Sequence, residues 1–196
     1  MVIADGLALI LGCGLGLIAG ILGGRVDGFV MRVVDMFLAF PFLLLALIIV
    51  AALGPGFGNT LIALGIVNMP RYARLMRGQV LRVRTAEYIE AARAAGVGFW
   101  AILFRHVLPN SYSPILVLVT LQAGVIIIET AGLSFLGLGA QPPAPDWGAL
   151  LADGQSYFLS AWWMATFPGL AIVAVVFGFN LVGDALRDYS DPRGRT

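Results

Sequence analysis

Residues 87–109 read EYIEAARAAGVGFWAILFRHVLP. The stretch is short, alanine-rich and charged, and it passes through Gly96 to a Leu-Pro pair at 108–109. Apolar sequence lies on both sides of it. No charge occurs between Asp35 and Arg71 before it, or between Arg105 and Glu129 after it. The same pattern holds from Asp5 to Arg25 and from Asp153 to Asp184. About 20 apolar residues in a helix cross a hydrocarbon core of about 30 Å. These runs carry no polar face at helical spacing, so a water-exposed helical core is excluded. Composition agrees: 60% of residues are hydrophobic and 12% charged, against roughly 25% charged in soluble domains, and the mean hydropathy is +0.93.

The reading is an all-α integral membrane protein, a polytopic helical bundle forming one transmembrane domain over 1–196. Spans are expected at 3–23, 34–53, 58–78, 111–134 and 162–183. The second ends in the turn cluster GPGFGN. The first lacks the basic start and small-residue cleavage site of a secretory signal, so it counts as a span. An inner loop covers 82–109 and an outer loop 135–161.

Orientation follows from the basic residues, all of which are arginine. Arg25 and Arg32 lie between spans one and two. Arg71, Arg74, Arg77, Arg82, Arg84, Arg93 and Arg105 lie at the end of span three and in the next loop. Arg187, Arg193 and Arg195 follow span five. The loops at 54–59 and 135–161 have none. Basic loops stay in the cytoplasm, which puts the C-terminus inside and the N-terminus outside, in a cell inner or plasma membrane. A five-residue N-terminus would then cross without a preceding span, so a further upstream helix is expected to be absent from this chain.

Ala8, Gly12, Gly16, Gly20 and Gly24 recur every fourth position. Small residues on one helix face allow a second helix to approach closely. No phosphate-binding Gly-Lys-Ser/Thr exists in a chain without lysine, so no cofactor and no nucleotide site is expected. Cys13 and His106, the single thiol and imidazole, stand far apart, and no metal site is expected. The spans hold no nucleophile–base pair or paired carboxylates, and an enzyme is not expected. Glu129 is the acid to explain. Counted from a span starting near 110 it rises about 28 Å, which favours an outer-interface or pore-mouth position over a substrate-facing one. Asp35, Asn180 and Asp184 fall near inner helix ends. In the outer loop, Trp147, Trp162 and Trp163 suit an interfacial belt, and 147–154 suits a short helix. That loop reads equally as a connector or as a docking surface.

In the opening stretch, Thr85 can cap a helix whose first turn holds Glu87. Glu87, Glu90 and Arg93 share a face, Ala91 and Ala92 keep the surface small, and Gly96 supplies a left-handed stop. A second amphipathic helix over 98–107 should end at Pro109. Such a segment fits a groove in another protein or rests on the lipid surface.

With its spacing of Gly96 and Leu108-Pro109 behind EAARAAG, the segment resembles the EAA loop of ABC-importer permeases: Glu90, Ala91, Ala92, Gly96, Leu108 and Pro109 match, and His106 replaces the usual aliphatic. Residues 35–56, 70–81, 132–154 and 167–188 also resemble the second permease subunit of dipeptide, oligopeptide and nickel importers. Members of that group usually have six spans, which agrees with the expectation that a first one is absent from this chain. The resemblance implies a permease that forms the translocation path with a homologous second permease. Two ATPase subunits would hold the EAA loops and hydrolyse ATP, and a periplasmic or extracellular solute-binding protein would deliver substrate. No nucleic acid is implied. Peptides are the favoured cargo, with nickel or another small solute as the rival. Outside that class, the residues fit a channel or membrane scaffold without ATPase coupling.

Overall fold

The computed structural model describes residues 1–190, so Arg193 and Arg195 fall outside the described residues. Every regular element in it is helical: α1 (Val2–Leu22), α2 (Gly24–Ala39), α3 (Phe42–Leu53), α4 (Phe57–Arg84), α5 (Glu87–Ala94), α6 (Phe99–Ile102), a π turn (Leu103–Val107), α7 (Leu108–Phe135), α8 (Trp147–Gln155) and α9 (Trp163–Ser190). Three stretches are long and apolar enough to cross a membrane: α1, the continuous Phe99–Phe135 and α9. The α2–α3 pair adds a bent fourth. The 28-residue α4 is long enough to be a fifth at about 42 Å, but its lower half is rich in arginine.

The centre of the fold is α1 against α4. The two run parallel: Leu7 lies at Gly65, Gly12 at Tyr72, Gly16 at Met76 and Gly20 at Val80. A Cβ on Gly16 would run into the Ala73 carbonyl and stand 2.9 Å from the Met76 Cβ, and one on Gly20 would stand 2.7 Å from Val80 Cγ1. The expected glycine stripe is therefore a seam within this chain, where α1 rests on the backbone of α4. Gly65 repeats the device from the other side, with Leu7 Cβ at 2.9 Å. Gly24 does not belong to the stripe. Helix α1 stops at Leu22, and Gly23 and Gly24 take φ of +64° and +55° to turn the chain, with nothing near a Cβ on Gly24.

The expected single helix over 34–53 is broken. Pro41 has no N–H and forces Phe40 into extended backbone (φ −86°, ψ 140°), so α2 and α3 meet at 97°. Hydropathy runs straight through that corner and cannot register it. Helix α2 is tied to the lower half of α4 by two ion pairs. Arg77 donates to both Asp27 carboxylate oxygens at 2.5 and 2.6 Å, and Arg74 donates to Asp35 at 2.7 Å. Arg84 closes the carbonyl end of α1, donating to Gly20 O at 2.8 Å and Ile21 O at 3.3 Å.

Helix α7 runs antiparallel to α4. Thr60 Oγ1 donates to Leu138 O at 2.7 Å at one end, and Arg71 reaches Gln122 lower down. Helix α9 packs antiparallel on α7, with Gly124 beside Val176 and Asn180, and Gly183 beside Leu121. Helix α8 starts where the short outer helix was expected. Asp146 caps it, accepting from the Gly148 and Ala149 N–H groups at 2.7 and 3.2 Å. Apolar packing divides into a cluster around Leu61, Leu64, Ile126 and Leu133 and another around Tyr72, Val80, Ile89, Leu103 and Val107.

Candidate functional site

The EAA stretch stands at the arginine-rich end of the bundle. Helix α5 has no side-chain cap: Thr85 instead turns its hydroxyl back to Leu81 O (3.0 Å) and Arg82 O (3.3 Å), and Ala86 occupies the cap position. The expected Thr85 cap fails because the hydroxyl finds the free carbonyls of α4 first. One residue anchors α5 to the bundle: Ile89 is fully buried among the lower apolar cluster. Glu87, Glu90, Ala91 and Arg93 are exposed and Ala92 is partly covered. A short ridge with small side chains thus projects from the protein.

Gly96 ends the ridge. Its φ is +79°, the Val97 N–H donates to Ala92 O at 3.0 Å, and its own N–H donates to Arg93 O at 3.0 Å. These two bonds form a Schellman turn, which satisfies the last carbonyls of α5 and needs a left-handed residue at that position.

Beyond it the structure departs from expectation. The second amphipathic helix is one turn of α6 followed by a π turn, and Pro109 does not end it. The Leu108 N–H reaches back to Leu103 O in the wider i→i+5 pattern, and Pro109, which has no N–H to donate, follows directly after that widened turn. Asn110 Nδ2 donates to His106 O at 2.6 Å beside it. Phe99 to Phe135 is therefore one helical rod with a widened turn. Ile102, Leu103 and Val107 are buried, Leu108 is partly buried and Pro109 is exposed. Phe99, Trp100 and Phe104 form an outward aromatic cluster, with Trp100 67% exposed and stacked on Phe104 at 6.0 Å. A cavity of ≈ 240 Å³ lies behind the loop, lined by Ile21, Val80, Arg84, Arg93, Val97 and Leu103 among others.

Glu129 lies elsewhere, in the upper part of α7. It is 8% exposed, between α4 and α7, and accepts from Asn68 Nδ2 at 2.6 Å. Asn68 Oδ1 accepts from Gln122 Nε2 at 2.8 Å, Gln122 Oε1 accepts from Arg71 at 3.1 Å, and Arg71 stands 4.0 Å from Glu129. Glu129 sits about 9 Å before the end of α7 at Phe135, the end that Leu138 O ties to the start of α4. It is not at an open mouth in this chain. Asn68, Arg71 and Gln122 were not singled out from sequence. The signal was there: Asn68 and Arg71 are three apart, Gln122 and Glu129 seven apart, each pair one face of a helix. A second buried polar contact joins α1 to α4, where the Tyr72 hydroxyl donates to Asp5.

Residues 12–196 match the family model described as "Binding-protein-dependent transport system inner membrane component". The dipeptide transport system permease protein DppC of Alkalihalophilus pseudofirmus is 51% identical over 186 residues, covering 95% of this chain and 61% of that protein. The probable D,D-dipeptide transport system permease protein DdpC of Escherichia coli is 44% identical over 187 residues, covering 95% and 63%. The chain thus spans about three fifths of the length of the curated relatives it matches. Among solved structures, the MetNI methionine ABC transporter in its inward-facing conformations superposes with a TM-score of 0.77 at 18% identity, covering 96% of this chain and 89% of that one. That likeness speaks for the fold alone, whereas the family match covers nearly the whole sequence. The chain belongs to the binding-protein-dependent transport system inner membrane components.

Proposed function

We propose that this chain is a permease subunit of an ABC importer for peptides, coupled through α5 to separate ATPase subunits. The observation that carries the proposal is the exposed ridge of Glu90, Ala91 and Ala92, closed by Gly96 and held to the bundle through Ile89. A small-faced helix of this kind seats in a partner's groove, and its charges supply orientation. The relatives named for dipeptides support the cargo class. A homologous second permease completes the path, a solute-binding protein delivers peptide outside, and the ATPases close on ATP and rock the spans. The permease performs no bond chemistry in this scheme. The arginine-rich end and the C-terminus face the cytoplasm. The decisive test is reconstitution with both ATPases, the second permease and the binding protein, followed by ATP-dependent peptide uptake into vesicles. Uptake that proceeds without the ATPases would instead favour a channel.

The orientation has its own check. Cysteines introduced by Gly58→Cys or Ala144→Cys, in a Cys13→Ala background, should react with a membrane-impermeant thiol reagent from outside. One introduced by Arg82→Cys should react only after permeabilisation. The reverse pattern would turn the molecule over.

A further inference from the structure

The polar network around Glu129 has a member that faces outward. Arg71 is 42% exposed by side chain, although about 21 Å of helix separates it from Phe57 at the outer end of α4. That distance places it within the apolar layer. A guanidinium at such depth is costly against lipid and is found facing a bundle interior or a water-filled cavity. The side chain is also held in place. Its Nη1 donates to Gln122, and Glu129 stands behind it, fixed in turn by Asn68. Among the described residues nothing accepts from its Nε or Nη2. Arg71 therefore presents the open edge of a pre-oriented fork. Arg74, Gly78 and Arg82 continue the same exposed stripe down α4, and Arg74 alone of these is matched, by Asp35. The stripe is positive on balance.

From this geometry we infer that Arg71 is a binding site for the α-carboxylate of a peptide passing through the seam between this chain and the second permease. The inference rests on the importer reading above. A guanidinium fork matches a carboxylate through two parallel hydrogen bonds, which an ammonium cannot reproduce. Gln122 and Glu129 act as positioning residues. They keep Arg71 aimed without capturing its free edge.

The test uses the assembled importer in proteoliposomes with radiolabelled dialanine as the probe. Arg71→Gln should lower uptake about tenfold while the permeases and ATPases still co-purify, and Arg71→Lys should recover part of the loss, because charge survives and the fork does not. A second measurement reads occupancy directly. Gly78→Cys introduces a thiol where a side chain meets no atom within 4 Å, in a Cys13→Ala background. A hydrophilic thiol reagent should modify it, and dialanine should slow that reaction while its C-terminal amide does not. Adding Arg71→Gln should abolish the protection. An unreactive thiol, or equal protection by the amide, overturns the carboxylate site. Loss of assembly in both Arg71 variants would show that the residue pairs with the second permease instead. Wild-type protein that takes up no dialanine overturns the importer reading and this site with it. Wild-type uptake that Arg71→Gln leaves unchanged overturns the site alone.

Discussion

Gly96→Val is expected to leave the protein in the membrane at wild-type level and to disconnect it from its ATPases. The reason is conformational and local. Gly96 sits at φ +79°, and a Cβ there would meet no atom within 4 Å, so space is not the obstacle. Left-handed backbone costs an ordinary L-residue roughly 1–2 kcal/mol, and a β-branched residue pays at the upper end or beyond. Since about 1.4 kcal/mol is tenfold in population, the turn that closes α5 should become a minority state. The two bonds from Val97 to Ala92 and from Gly96 to Arg93 would be lost together. Gly96→Asn, which tolerates the left-handed region, should restore most of the function, and Gly96→Ala should fall between. Ala92→Trp tests the same element by bulk, because it fills the groove side of the ridge without touching a span. The measurement is a pull-down of the ATPases beside an uptake assay. Wild-type values for both variants in both assays would remove α5 from the coupling role, leaving it as a helix resting on lipid.

Gly16→Leu should be among the most damaging single changes in the spans. A Cβ at this position collides with the Ala73 carbonyl and comes within 3.0 Å of the Arg77 N–H nitrogen, and neither backbone atom can move aside. Overpacking usually costs 1–3 kcal/mol where side chains can adjust, and here helix α1 itself must lift off α4. Gly14→Leu is the matched control, since nothing lies within 4 Å of a Cβ there. Thermal unfolding of the purified protein in detergent should show a large loss for Gly16→Leu and little change for Gly14→Leu. Equal stability of the two would mean that the seam is looser than described.

Periodicity and spacing made part of this legible in the sequence. The stripe at Gly12, Gly16 and Gly20 announced a close helix approach because a helix repeats every 3.6 residues. It could not name the partner, which is α4 of the same chain, some sixty residues on. Gly96 announced its turn because only a few residue types tolerate a positive φ. The corner at Phe40 and Pro41 stayed hidden inside an apolar run, where a hydropathy count sees composition and not direction. The partners of Glu129 stayed hidden for a related reason: length along one helix says nothing of what a second helix sets beside it. The Asn68–Gln122–Arg71 chain was missed because each residue is unremarkable alone, and only the antiparallel packing of α4 on α7 brings them together.

The unbroken backbone from Phe99 to Phe135 has a mechanical meaning. Its 37 residues make a helical run about 55 Å long, with the exposed ridge of α5 attached at its foot through a single turn. A tether would absorb small displacements by slack, and this joint has little slack to give. A push of a few ångströms at the foot is therefore expected to reach the shaft instead of being lost in a linker. Along its length the regular hydrogen-bond ladder is interrupted at the widened turn Leu103–Val107, at Pro109 just after it and at Pro114. Those are the points at which the shaft is expected to bend, below its packing on α4 and α9 near Leu121 and Gln122.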